Sequence, residues 1–227
     1  LNPVYTVGFQ LAETIRAHCD VSRDDATRRA LSLFAEVALP EGRAIFRAYP
    51  HQLSGGQVQR VMIALALAGE PDFLIADEAT SALDLVTQAE ILDLLEDLTS
   101  KRGLGLLLIS HDLTVVRRVV ERTYVMFAGE IVEDNLTSDL FADPLHPYTR
   151  MLLASAPGQD RREPMAAIER SKSNAPSESG CRFNPRCHMA RDDCRETAPP
   201  LSEVSATARV RCPVVAEGLM EGTDATS

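Results

Sequence analysis

Lysine is almost missing from this 227-residue chain: only Lys101 and Lys172 occur, preceded by Ser100 and Ser171. A phosphate-gripping loop of the Gly-Lys-Ser or Gly-Lys-Thr type is therefore not encoded in it. Positive charge is scarce overall. Lys and Arg number 23 against 33 Asp and Glu, a formal net charge of −10, and no basic block could track a phosphate backbone. No nucleic-acid partner is expected. Long hydrophobic runs are missing too. The longest strongly apolar stretch, Val61 to Gly69, falls well short of the roughly 20 residues that a helix needs to cross a bilayer, and no signal peptide precedes it. The expectation is a cytoplasmic chain that could still dock on a membrane partner. The first residue is Leu1 and not Met, which suggests a start inside a longer reading frame or after processing.

What remains is globular in character. Hydrophobic residues make up 45% and charged residues 25%, ordinary values for a folded domain. The length suffices for one good core and leaves room for a small second domain. Four of the five cysteines, Cys181, Cys187, Cys194 and Cys212, crowd into the last quarter. In a reducing compartment such a cluster reads as metal ligation before disulfides.

The first third reads as helical. Val7 to His18 and Asp24 to Leu39 carry apolar residues at helical spacing, until Pro40, Gly42 and Pro50 break the pattern. From Leu53 onward helix and strand alternate. Phe73 to Ala76 and Leu104 to Ile109 are short apolar runs of the kind buried on both faces of a parallel sheet. Between them Ile91, Leu94, Leu95 and Leu98 form one face of a crossover helix, with Thr87 and Glu90 spaced as a capping box. Tyr124 to Ala128 and Ile131 to Glu133 suggest two further strands around Gly129. The expected class is α/β. Beyond Glu133 the chain turns rich in Pro, Ser and Arg, with a short helix around Tyr148 to Ala154 and a polar linker from Gln159 to Ser179.

Three motifs carry chemistry. In LSGGQVQR, Leu53 to Arg60, two glycines allow close backbone approach, and the following helix, Gln57 to Ala68, directs free N–H groups and its positive dipole end back toward them. Such a corner suits a phosphate, and Ser54 could add a hydroxyl donor; an ordinary Gly-Gly turn is the plain alternative. In FLIADE, Phe73 to Glu78, an apolar strand ends in Asp77 and Glu78. Ligands bind at that edge of open α/β sheets, although two solvated acids in a turn would read the same. After the second apolar strand and Ser110 comes His111, where an imidazole could hydrogen-bond a terminal phosphate or serve structure alone.

In this order the motifs resemble the nucleotide-binding subunits of ABC transporters. LSGGQVQR is similar to the signature, FLIADE to the Walker B strand with its glutamate, Ser81 to Asp84 to the D-loop, and His111 to the switch histidine. The resemblance implies ATP and Mg2+ as cofactors. Asp77 would hold Mg2+, Glu78 would act as general base with His111 as its catalytic companion, and Ser54, Gly55, Gly56, Gln57 and Asp84 would serve nucleotide. In that family two ATPase subunits pair head to tail, each ATP lying between the Walker A loop of one and the signature of the other. The implied fold is a P-loop NTPase-like ABC domain lacking its N-terminal part and Walker A loop, with residues 1–54 as helical subdomain and 55–134 as α/β ATPase core. Hydrolysis by this chain alone is not expected. Ala79 departs from the pattern, because the family usually has Pro after the glutamate, and its absence loosens that turn.

The tail, 135–227, narrows the resemblance. FADPLHPYTRMLLASAP, Phe141 to Pro157, followed by GCRFNPRC and two more cysteines, is similar to the C-terminal extension of ATPase subunits from bacterial dipeptide, oligopeptide and nickel importers. Four thiolates can close a zinc site or hold an iron-sulfur cluster. The resemblance tips the expectation to a [4Fe-4S] cluster, with zinc as alternative, ligated by Cys181, Cys187, Cys194 and Cys212. His188 is expected to stay exposed, Cys19 to be a buried helix residue, and Tyr148 to act as a packing anchor. The expected role is the ATP-binding subunit of a di- or oligopeptide importer on the cytoplasmic face of a bacterial membrane, partnered by a second ATPase, permease subunits and indirectly a solute-binding protein. Alternatives are a non-catalytic partner lending only its signature, or an importer ATPase for nickel or another small solute.

Overall fold

Polar side chains mark where the long helices begin. Thr6 Oγ1 accepts the N–H of Phe9 at 3.4 Å and starts helix α1, Val7–His18. Ser22 Oγ accepts that of Asp25 at 3.1 Å and starts α2, Arg23–Glu36. In each case an otherwise orphaned donor of the first turn is satisfied. The computed structural model describes residues 1–81, 83–155 and 175–224, the last five as backbone only. It divides into two compact units, Leu1–His111 and Asp112–Ser227.

The first unit continues with α3, Gly42–Arg47, α4, Gly55–Leu67, strand β1, Phe73–Asp77, α5, Leu85–Arg102, and β2, Gly105–Ile109. Strands β1 and β2 pair in parallel from Phe73↔Gly105 to Asp77↔Ile109, so α5 is the crossover that a parallel pair requires. One continuous core joins Leu11 and Ile15 of α1, Phe34 of α2, Val61 and Leu67 of α4, Leu74 of β1, and Ile91 and Leu95 of α5. Residues 1–54 and the start of the 55–134 segment thus share their hydrophobic interior.

Four expectations need correction here. The strands are not buried on both faces: Leu74 and Ala76 point into the core, while Phe73 is 73% and Ile75 66% exposed, and Leu107 and Ile109 lie on the open side too. Helix α5 starts before Thr87, because the Asp84 carboxylate already accepts the N–H groups of Val86 and Thr87 at 3.1 and 3.0 Å. Helix α2 stops at Glu36, where Ala38 takes a positive φ of 55° and turns the chain out of the helix. The fourth is Cys19, expected as a buried helix residue: it lies just past the end of α1 as its C-cap and is only half-buried against the core.

The second unit opens with α6, Leu113–Val119, and a hairpin of β3, Arg122–Phe127, and β4, Glu130–Leu136. Then come α7, Thr137–Ala142, α8, Pro147–Ala154, a 3₁₀ turn at Asn184–Arg186, and the one-turn helix α9, Asp193–Glu196. Strands β5, Ser202–Glu203, and β6, Arg209–Val210, precede α10, Pro213–Asp224. The sheet order is β3-β4-β6-β5, antiparallel throughout. The later strands therefore do not extend the parallel pair as a single α/β sheet. Of the expected linker, 159–174 lies outside the described residues, whereas Ser177 and Ser179 turn tightly against the cysteine segment.

Strand β4 explains much of this unit. A register shift between Val125 and Met126 marks a bulge, and Val132, Glu133, Asp134 and Asn135 are all buried. The Glu133 carboxylate accepts the N–H groups of Leu145 and His146 at 2.9 and 2.8 Å. Asp134 lies between Arg122, at 2.7 Å, and Arg209, at 2.6 Å. Two consecutive acids thus tie opposite faces of one strand to different elements, since strand side chains alternate in direction. Tyr148 is the packing anchor expected of it, 4.6 Å from Phe127 and 5.6 Å from Phe183 by ring centroids.

Candidate nucleotide and cysteine sites

Ser54 is the N-cap of α4. Its Oγ accepts the Gln57 N–H at 3.3 Å, while Gln57 Oε1 accepts the Ser54 N–H at 3.0 Å. This reciprocal cap fixes the glycine corner and leaves the remaining first-turn N–H groups facing outward. Gly55 is exposed. Gly56 is also needed for packing: a Cβ there would meet Thr87 Cγ2 at 2.8 Å. The N-termini of α4 and α5 therefore approach closely, which concentrates positive helix-end potential. Asp84 sits at the second N-terminus, and its carboxyl is held below the usual range by hydrogen bonds from Thr87, backbone first and then side chain. It acts as the cap of α5.

Arg60 secures this corner, and the sequence reading assigned it no role. It donates to the Val37 carbonyl at 3.2 Å and to Glu90 Oε2 at 2.9 Å, so one largely buried guanidinium joins α4 to the end of α2 and to α5. Two diverging donors on one planar group suit such a junction.

Asp77 and Glu78 stand at the carboxyl end of β1, as expected. Glu78 takes a left-handed backbone, φ 48°, and its N–H bonds the Ile109 carbonyl at 3.0 Å. That bond carries the parallel pairing one residue beyond the strand. The bend turns the Glu78 carboxylate to His111, with Oε1 2.8 Å from Nδ1. A left-handed residue other than glycine costs on the order of 1 kcal/mol, and Ala79 leaves Glu78 free of the conformational restriction a following proline imposes. The structure thus brings Glu78 and His111 together, with Asp77 beside Glu78, at the carboxyl edge of the parallel pair.

The four clustered cysteines are all free thiols and line one small pocket, together with His146, Phe183 and Asn184. His188 is exposed, as expected. Burial raises the thiols of Cys181 and Cys212, and that of Cys187 to about 11. Backbone hydrogen bonds from Phe183 to Cys181, from Met189 to Cys187 and from Val214 and Val215 to Cys212 favour the thiolates. Among the described residues no three His, Cys, Asp or Glu side chains are grouped as ligands of one metal ion. Four free soft donors, three of them backed by N–H groups, fit a thiolate-bound metal group in chemistry.

His146 was likewise not singled out as a site residue. Its Nδ1 accepts the Tyr148 N–H at 3.0 Å, and it hydrogen-bonds the backbone of Arg211, the neighbour of Cys212. Burial lowers its pKa to about 4. No local sequence signal pairs His146 with Arg211 or with Glu133, because those contacts join distant segments.

A signature helix N-terminus and an acidic strand end with a facing histidine define the class of nucleotide-binding cassettes. The family model "ABC transporter" matches residues 4–81, and "Oligopeptide/dipeptide transporter, C-terminal region" matches 132–194. The chain is 44% identical over 216 residues to the dipeptide transport ATP-binding protein DppD of Haemophilus influenzae, covering 93% of this chain and 64% of that protein. It is also 44% identical over 216 residues to the oligopeptide transport ATP-binding protein AppD of Bacillus subtilis, covering 93% and 65%. Among solved structures, a dimeric bacterial ABC transporter cassette aligns with TM-score 0.53 and 32% identity, over 60% of this chain and 59% of that one. The chain is thus similar to ATP-binding proteins of ABC transporters for dipeptides and oligopeptides. It spans slightly less than two thirds of the length of these curated relatives, 64% and 65%.

Proposed function

We propose that the protein is the ATP-binding subunit of an importer for di- or oligopeptides, working at the cytoplasmic face of a bacterial membrane. Among the described residues no helix is long and apolar enough to cross a membrane, so association would run through permease subunits that receive peptide from a solute-binding protein. The observation that carries the reading is the pairing of the Ser54–Gln57 helix corner with the Glu78–His111 contact on one parallel strand pair. The signature would close over ATP held by a second ATPase subunit. Asp77 would take Mg2+, and Glu78, oriented by His111, would accept the proton of the attacking water. Residues 1–54 serve as helical subdomain, 55–134 as ATPase core and 135–227 as the importer-specific extension.

Cys181, Cys187, Cys194 and Cys212 would hold an iron-sulfur cluster in the extension. When bound, such a group cross-links the cysteine arms and reinforces the small apolar cluster of Val210, Cys212 and Ala216. Zinc is the alternative occupant.

Because no Gly-Lys-Ser or Gly-Lys-Thr occurs in the sequence, the proposal expects Mg-ATP to bind weakly to this chain alone. Binding should become tight when a second ATP-binding subunit bearing a phosphate loop is added. Equilibrium dialysis of the two mixtures tests this. Tight binding by this chain without a partner would reject the reading, and loss of trans binding in a Gly55→Val variant would support it.

A further inference from the structure

Three of the four cysteine arms meet at one residue, two through its side chain and one through its main chain. The Nδ2 of Asn184 donates to the Cys181 carbonyl at 2.8 Å and lies 3.3 Å from the Cys194 carbonyl and 3.4 Å from that of Ser179. Its own N–H bonds the Cys181 carbonyl at 3.0 Å, and its carbonyl receives the Cys187 N–H at 3.2 Å. The Asn184 side chain also lines the thiol cavity.

The surrounding backbone leaves little freedom. The Cys181 N–H bonds the Cys194 carbonyl at 2.8 Å, and Gly180, at φ 65°, lies so close that a Cβ would stand 2.3 Å from that same oxygen. Pro185 follows Asn184 in the second position of the 3₁₀ turn, within its first turn, where its fixed φ suits the turn. An amide with two donor hydrogens facing three carbonyls can only be oriented with nitrogen inward, because the reverse would oppose oxygen to oxygen.

We infer that Asn184 is the positioning residue that holds the Cys181, Cys187 and Cys194 arms at mutual spacing around the cavity, so that their thiolates close on one metal group together. The inference rests on the four-cysteine reading above. Asn184 ligates nothing; it acts through the carbonyls and the N–H of the cysteines. Outer partners of metal ligands commonly govern retention more than the fold itself, and no local motif at Asn184 would otherwise require an amide.

The test is anaerobic reconstitution of the chain with ferrous iron and sulfide, followed by visible thiolate-to-iron absorption and its decay under a chelator. Asn184→Ala should keep the helical circular dichroism of the parent while losing the absorption about tenfold faster or more. Decay at the parent's rate would overturn the inference while leaving the four-cysteine reading standing. Failure of the parent itself to take up iron would overturn both, and this outcome is recognisable before any variant is made. Should Asn184→Ala not fold, Asn184→Ser, which keeps one donor but cannot span to Cys194, is read in its place. It too should lose the absorption faster than the parent, and parent-like decay would overturn the inference.

Discussion

In the first unit Leu11, Ile15, Phe34, Leu67, Ile91 and Leu95 lie in one continuous apolar core, whereas in the second two small apolar clusters accompany buried Glu133, Asp134 and His146. The first unit places its charged chemistry at exposed helix and strand ends. The second unit places charge inside, where each group must be paired or hydrogen-bonded to be tolerated. A helical layer around crossover helix α5 can rely on burial alone. A tail with short strands and one-turn helices uses directional bonds to fix a geometry that few apolar residues could specify.

The largest effect expected from this contrast is Leu95→Ala. Emptying a fully buried leucine site should cost about 2–5 kcal/mol, and the loss should fall on the first unit. Hydrogen exchange read peptide by peptide would show deprotection of Val7–His18, Arg23–Glu36 and Leu85–Arg102, with β3 and β4 retained. Simultaneous deprotection of both units would mean that they unfold as one, which breaks the comparison.

A second test uses acidity, to which the units should respond differently. His146 is buried with a pKa lowered to about 4 from the ordinary 6.5, so the unfolded chain takes up its proton first. Its contribution is fully present above about pH 6.5, shrinks as pH falls toward 4, and changes no further below that. The loss for the metal-free chain should be on the order of 2 kcal/mol. The groups around the ring are the Tyr148 N–H, the Arg211 backbone and the Phe183 ring. Denaturant midpoints of the second unit at pH 7 and pH 4.5 would measure it, and His146→Gln should flatten the profile. An unchanged profile in that variant would assign the acid sensitivity elsewhere.

How much of this was legible beforehand follows the same divide. Helix Val7–His18 was readable to the residue, because its apolar spacing is strict and Thr6 caps it. The signature corner and the Asp77–Glu78 strand end were readable from contiguous motifs. The left-handed Glu78 that aims its carboxylate at His111 was not, since backbone sign at a non-glycine residue has no residue-type marker. Nor was the start of α5: Thr87 and Glu90 have capping-box spacing, but Asp84 satisfies the donors first. In the second unit the cysteines announced themselves, while Glu133, His146 and Asn184 did not. Their partners lie far along the chain or in main-chain atoms, where periodicity and composition carry no signal.

Gly56 allows a sharper test of why the signature needs glycine. A methyl group at that position would meet Thr87 Cγ2 at 2.8 Å, so Gly56→Ala should destabilise the first unit by about 1–3 kcal/mol through overpacking. Thr87→Ser removes the opposing methyl and keeps a hydroxyl for Asp84. The double variant should regain most of the loss in a thermodynamic cycle. Without recovery, the strain must reside in the backbone of α4 and not in its contact with α5.

The smallest effect isolates the cap from the packing. Ser54→Ala removes the acceptor for the Gln57 N–H but touches neither the Gly56–Thr87 contact nor the Arg60 bonds to Val37 and Glu90. The expected cost is about 1 kcal/mol, read as a shift of the denaturation midpoint. Since Arg60 and the glycine contact still hold the helix, α4 should fray only at its first turn, with deprotection limited to residues 55–58. Fraying that runs past Arg60 would show that the cap, and not the buried guanidinium, sets where the signature helix stands, and the first unit would then depend on a directional bond as heavily as the second.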